Sequence, residues 1–274
     1  MTSDRERLSG YVESWRSAVD DVVSLLRSLD DEDWSRPTDL PGWDVKGVAC
    51  HLAHLESDLA GVKQKRVEVP QGAHLTAPTS VFTEMGLVAR ADMTGPEVTD
   101  ELEEAARVRH ERLLADPPTD GKADPPRTPG KIGWDWETLL SNRVVDVWMH
   151  EQDIRRAVGR PGGMNTPGAA HTVATFTRAF PFVVGKVVAP PAGTTVVLDV
   201  TGVSPVHLAV EMNESGRAVP VTDEPGDPTV VLRMDVETFV ILAGGRRPAD
   251  QVPVEIAGDD ELARKVLAAM AVTP

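Results

Sequence analysis

Two stretches of this 274-residue sequence combine side chains that bind metal ions or move protons. In the first, DVKGVACHLAHLESDLAG, Asp44 is placed to cap a helix, and Val45, Val48, Leu52, Leu55 and Leu59 recur at helical spacing along it. His51 lies off that apolar face, within HLAH. In the second, NRVVDVWMHEQDIRRAV, Asp146 and His150 are four residues apart and Asp153 follows three later. Positions i, i+4 and i+7 share one helical face, so a single helix presents a carboxylate and an imidazole side by side. If the first helix packs with His51 facing them, three ligands converge inside a bundle, which is how helical bundles build metal sites.

A His–carboxylate–His set suits zinc and other borderline divalent ions, and three protein ligands leave one coordination position open, as catalytic sites do. Two neutral imidazoles, one carboxylate and a dication leave a net charge of +1, which a bound thiolate or hydroxide would neutralise. Spacing alone leaves the alternative open, because a His and an Asp four apart on a helix also describe a solvated surface pair. His54, three residues after His51, offers a fourth ligand or a surface or hydrogen-bonding role. Cys50 points about 100° away from its neighbour His51 around a helix and reads as a buried core thiol. His74, His110, His171 and His207 have no partner pattern, and the six tryptophans read mostly as core, with GWDW at 133–136 the one segment that could line a pocket mouth.

The elements that must position these groups are legible in outline. Apolar residues at Leu8, Tyr11, Val12, Trp15, Val19, Val22, Leu26 and Leu29 predict a helix over 4–29, opened by a capping box of Ser3 and Glu6. A loop with Pro37, Pro41 and Gly42 precedes the helix capped by Asp44, residues 62–80 read as irregular, and helices are expected over 80–92 and 97–115. After a Pro- and Gly-rich loop at 116–133, the helix from Trp136 to Val158 carries Asp146 and His150 and stops at Gly159. A further helix covers 167–188. Beyond Pro190 and Pro191 the character changes: TTVVLDVTG, PVHLAVE, PTVVLRMD and VPVEIAG read as short strands, and DVETFVILAGG and DDELARKVLAAMA as helices. The sequence therefore predicts an all-α domain over 1–188 followed by a small α+β domain over 190–274.

Composition narrows the partners. A net charge of −15 and a pI near 4.9 argue against nucleic acid and anionic membrane surfaces, which need clustered Lys and Arg. No run of about 18 apolar residues is present to span a bilayer, and the polar start MTSDRERLSGYVESW opens a helix rather than a signal peptide. One cysteine excludes an intrachain disulfide and fits a cytoplasmic protein.

The segment LPGWDVKGVACHLAHLESD resembles the N-terminal signature of the mycothiol-dependent maleylpyruvate isomerase family, within the wider DinB-like metal-binding bundles, and RVVDVWMHEQDIRRAVGRP resembles that family's second signature. The stretch from Gly226 to Pro274 is similar to its companion domain, related to sterol carrier proteins. The resemblance implies an up-and-down four-helix bundle holding zinc or another divalent metal through His51, Asp146 and His150. The family more often has Glu where this sequence has Asp146, which is shorter by one methylene.

In such enzymes the metal binds the sulfur of mycothiol, a small cysteine-containing thiol, and metal coordination makes a thiolate available at neutral pH. The resemblance thus implies an isomerase or S-transferase acting on a small electrophile with a low-molecular-weight thiol as partner, in a monomer or homodimer. A carboxylated substrate would want a cation; Arg143, three residues before Asp146, and Arg233 in the C-terminal domain are the candidates, with Arg246 and Arg247 near the latter. Two other readings compete. The same open coordination position could activate water in a metal-dependent hydrolase, or the C-terminal domain could make this a non-catalytic small-molecule or lipid-binding protein.

Overall fold

The computed structural model describes residues 3–70, 72, 78–222 and 226–273, with the side chains of Pro78 and Thr79 left aside. His74 lies outside the described residues. The chain divides into two compact units, Met1–His171 and Thr172–Pro274. The division falls inside a helix, upstream of the change in composition at Pro190 that suggested a boundary there.

In the first unit, α1 (Asp4–Arg27) begins with the expected capping box, Ser3 and Glu6 each bonding the other's backbone N–H. It buries Leu8, Val12, Trp15, Val19, Val22 and Leu26 on one face. α2 (Val45–Leu59) starts where Asp44 accepts a bond from the Gly47 amide at 2.7 Å. α3 (Pro78–Ala89) and α4 (Gly95–Ala115) follow, the latter opened by a second capping box, Thr94 with Glu97. α5 (Trp136–Val158) is capped by Asp135 and ends at Gly159, whose φ of 66° is the left-handed turn that glycine adopts without strain. α1 packs against α4 and α5, α2 against the same two, and α3 against α2.

The difference from the sequence reading lies in α2 and α5. Apolar periodicity gave α2 one buried face, and no apolar face was read for α5. In the structure α2 also buries Cys50, His51, His54, Glu56 and Ser57, and α5 buries Arg143, His150, Glu151 and Asp153. A helix enclosed on most sides has no polar face to show water, so its charged groups must find partners inside.

α6 (Pro167–Phe182) crosses the division between the units and runs into a π-helical turn at 183–188. The second unit is α+β. Among the described residues its five strands are β1 (Thr195–Thr201), β2 (Val206–Met212), β3 (Ala218–Pro220), β4 (Val230–Asp235) and β5 (Glu255–Gly258), in the order β3-β2-β1-β4-β5. β1 lies in the middle, antiparallel to β2 and parallel to β4, and Leu198 sits between Leu208 and Leu232. α7 (Val236–Ala243) and α8 (Asp260–Ala268) pack against β4. The four strands read from the sequence are present. β3 was missed because three residues ending in proline carry no periodic pattern. Among the described residues no helix is long and apolar enough to cross a membrane.

Candidate metal centre

α2 brings His51 and α5 brings Asp146 and His150 to one place, and one ligand atom from each lies within 4.8 Å of the other two. The Nε2 of His51 is 3.4 Å from Asp146 Oδ1, and the Nε2 of His150 is 3.6 Å from the same oxygen. Donor atoms bound at about 2.0–2.1 Å to a tetrahedral ion stand about 3.4 Å apart, so both separations fit one ion between them. The imidazoles are nearly buried, while the Asp146 side chain keeps 21% of its surface exposed, which leaves an approach from solvent. Trp43 lies beside both rings, 5.2 Å from His51 and 6.1 Å from His150 by ring centres.

The surroundings prepare these groups to act as ligands. The Nδ1 of His150 is 3.0 Å from Asp153 Oδ2. An ionised carboxylate only accepts, so this bond assigns the ring proton to Nδ1 and leaves the Nε2 lone pair free. Asp153 is held in turn by Arg156, which also bonds Asp39 at 2.8 Å. Burial pushes the His51 imidazole below its ordinary pKa and so favours its neutral form, against the pull of Asp146. Its Nδ1 is buried and has no hydrogen-bond partner among the described residues. Burial works to raise the Asp146 carboxyl, but the Arg143 guanidinium, and any positive charge on the two imidazoles, outweigh it and hold the group well below the usual carboxylate range. Two neutral imidazoles and an ionised carboxylate are the donor set that zinc and similar ions take.

Comparison with family models matches the mycothiol maleylpyruvate isomerase N-terminal domain to residues 15–155 and the MDMPI C-terminal domain to residues 170–265. The chain belongs to the mycothiol-dependent maleylpyruvate isomerase family. Two solved structures share its fold: one described as the mycothiol-dependent maleylpyruvate isomerase (TM-score 0.55) and one as a histidine-to-alanine mutant of that enzyme (TM-score 0.54). Each is 15% identical to this chain, and each alignment covers 93% of this chain and 96% of the other. No curated protein matches the sequence.

The other residues singled out in the sequence of this family member fall in different places. Arg143 uses its guanidinium inside the protein, on Glu56 and Asp146. Its side chain is fully buried, with Nε and Nη2 bonded to Glu56 and Nη1 to Asp146, so each guanidinium nitrogen is engaged inside the protein. Arg233 is on β4 of the second unit, half-exposed, paired with Glu255 at 3.1 Å and Asp199 at 3.6 Å. His54 is buried but turned elsewhere, its Nδ1 3.0 Å from Gln64 Oε1 and its ring against Phe82. Cys50 is buried as expected, and burial raises its thiol to about 11. Trp136 packs against the core, whereas Trp43, read only as packing, lies at the site. Glu56 was overlooked altogether; its signal was a carboxylate inside a run of buried helix.

Proposed function

We propose that this protein is a metal-dependent enzyme that uses mycothiol as its nucleophile, as an isomerase or S-transferase on a small electrophilic substrate. The observation that carries this reading is the convergence of His51, Asp146 and His150, with the acid held ionised and the imidazoles prepared to donate lone pairs. A divalent ion held there, with zinc the first candidate, would lower the pKa of a thiol sulfur and polarise it as a thiolate at neutral pH. The four packed helices α1, α2, α4 and α5 are read as the DinB-like bundle, and the second unit as its sterol-carrier-like companion.

The chain's own groups do the positioning. Asp153 fixes the tautomer of His150, Arg143 leaves one oxygen of Asp146 free, and Trp43 packs beside both imidazole rings. The nucleophile has to come from outside, because the one cysteine is buried and its thiol is pushed up to about 11. Of the arginines considered for a carboxylated substrate, Arg233 keeps an exposed guanidinium and remains the candidate for that contact, while Arg143 is assigned to holding Asp146. A cytoplasmic location is part of this reading and accords with a reducing compartment.

The test is elemental analysis and activity with mycothiol for wild type and His150→Ala, both purified without a metal-affinity tag. About one equivalent of metal is expected in wild type, with metal and turnover lost together in the variant. Full turnover in His150→Ala would overturn the reading. Turnover of an ester or amide with no thiol present would move it to hydrolase chemistry.

A further inference from the structure

Glu56 is fully buried on α2, five residues beyond His51. A carboxylate there survives ionised only with several charged or polar donors around it, and it has them. Its Oε1 accepts from Arg143 Nε at 3.0 Å, Arg143 Nη2 at 2.7 Å and Trp15 Nε1 at 2.9 Å. Its Oε2 accepts from Arg109 Nη1 at 2.8 Å. Arg109 in turn lies over the Trp15 ring, 4.5 Å from its centre. One residue from each of α1, α2, α4 and α5 therefore meets in a single buried cluster. The charges of Glu56 and Asp146 balance those of Arg109 and Arg143.

The geometry points to a role beyond holding helices together: Glu56 is a positioning residue for the candidate metal centre, acting through Arg143 on Asp146. The inference rests on reading His51, Asp146 and His150 as metal ligands. A guanidinium is a planar fork whose preferred partner is a carboxylate taken by two N–H groups at once. In this protein Glu56 takes the Nε–H and one N–H of Nη2 and so fixes the guanidinium plane, in which Arg143 reaches Asp146 through Nη1 and bonds only Oδ2. Asp146 Oδ1 is thereby left facing the two imidazoles. Without Glu56 the fork is free to take both oxygens of Asp146, which removes the third ligand atom from the site. Because Glu56 and His51 share α2 while Arg143, Asp146 and His150 share α5, the same bonds also fix the register of the two ligand-bearing helices.

The experiment compares wild type, Glu56→Gln, Glu56→Leu and the double variant of Glu56→Leu with Arg143→Met, as metal-free full-length protein. Zinc affinity is read by chelator competition, the visible spectrum of the cobalt-loaded protein reports ligand geometry, and thermal unfolding reports stability. Glu56→Gln should bind zinc about 10- to 100-fold more weakly, the range seen when outer-shell partners are removed, with a changed cobalt spectrum. The double variant removes both charges, so its stability should recover relative to Glu56→Leu alone. Its zinc affinity should stay weak, because Asp146 is no longer held. A merely structural role predicts instead that affinity recovers with stability, and that result overturns the inference, as does wild-type zinc affinity in any folded variant. Failure of the underlying metal reading looks different: wild type itself then takes up no zinc or cobalt, and both proposals fall.

Discussion

The two units of this protein place their charges in opposite ways. In Thr172–Pro274, Val196, Leu198, Val200, Val230 and Leu232 are all but completely buried, and the charged groups of the same strands lie outside. His207, Asp199, Arg233 and Glu255 form a cross-strand row in direct register, each between 36% and 70% exposed in its side chain. In Met1–His171 the long helices bury Glu56, Arg109, Arg143, His150, Glu151 and Asp153 among their apolar residues. The sheet follows the ordinary rule of apolar inside and polar outside. The helical unit departs from it where the candidate metal centre is, and departures of this kind mark sites where function outweighs packing.

Arg143 and Arg233 make the contrast measurable, since one pair of ions is fully buried and the other is open to water. Arg143→Ala removes two of the four donors to Glu56, leaving Arg109 and Trp15, and should cost about 3 kcal/mol, the lower end of the range for breaking a buried pair by removing one partner. Arg233→Ala breaks an exposed pair and should cost no more than about 1 kcal/mol. Chemical denaturation of both variants checks this. Equal losses would erase the distinction between the two regions, and a large loss for Arg233→Ala would mean that its guanidinium is held more firmly than its exposure implies.

A finer break concerns Asp153. If the buried charges of α5 serve the site, Asp153→Asn should weaken zinc binding by about 10- to 100-fold, since an amide can no longer hold the His150 ring proton as a carboxylate does. The contrasting substitution is Asp199→Asn on the sheet, a carboxylate that also has a histidine beside it, His207 at 3.8 Å. It should leave zinc binding unchanged. Equal effects of the two would show that proximity of a carboxylate to an imidazole, rather than burial beside the ligands, was being measured.

How much of this was legible beforehand follows from the same contrast. The strands β1, β2, β4 and β5 were readable because each carries its own alternation or apolar run, and α1 because Ser3 and Glu6 announce its start. The three candidate ligands were suggested by i, i+4 spacing on one helix and a histidine off the apolar face of another, and it was the family resemblance that favoured them over a solvated surface pair. Glu56 and the true setting of Arg143 were not, because their meaning lies in contacts across α1, α2, α4 and α5 that no local period encodes. Trp43 was missed for the same reason: it precedes α2 in a loop, and only the folded chain lays it beside His51 and His150.

Cys50 sharpens the claim that the nucleophile is external. It is the residue next to His51, yet it is buried and its thiol is raised to about 11. At neutral pH that leaves about 100-fold less thiolate than in a free cysteine, so a thiol reagent should modify the native protein at least that much more slowly than the unfolded chain. Cys50→Ala should bind added zinc as tightly as wild type does. Rapid labelling of the folded protein would make Cys50 available for chemistry and remove one support for a thiol brought from outside.

The smallest effect is expected at the start of α5, the helix that carries Asp146 and His150. Asp135 caps it by accepting from the Thr138 amide at 2.8 Å, and Lys122 lies 2.9 Å from its other oxygen. Hydrogen bonding to the side chain and amide of Thr138, with Lys122 adding to it, lowers the carboxyl from 3.8 to about 2. A depressed carboxyl stabilises the fold fully above its unfolded pKa, and that contribution is lost as pH falls through the folded value. The cap should therefore hold unchanged down to about pH 4 and weaken between there and pH 2. Asn also caps helices but carries no charge to titrate. The stability difference between wild type and Asp135→Asn should thus shrink as the solution is acidified across that window. Parallel acid profiles for the two proteins would show that the cap owes its strength to the hydrogen bond alone. The unusual electrostatics of α5 would then be confined to its buried middle, where Arg143, Asp146 and His150 stand.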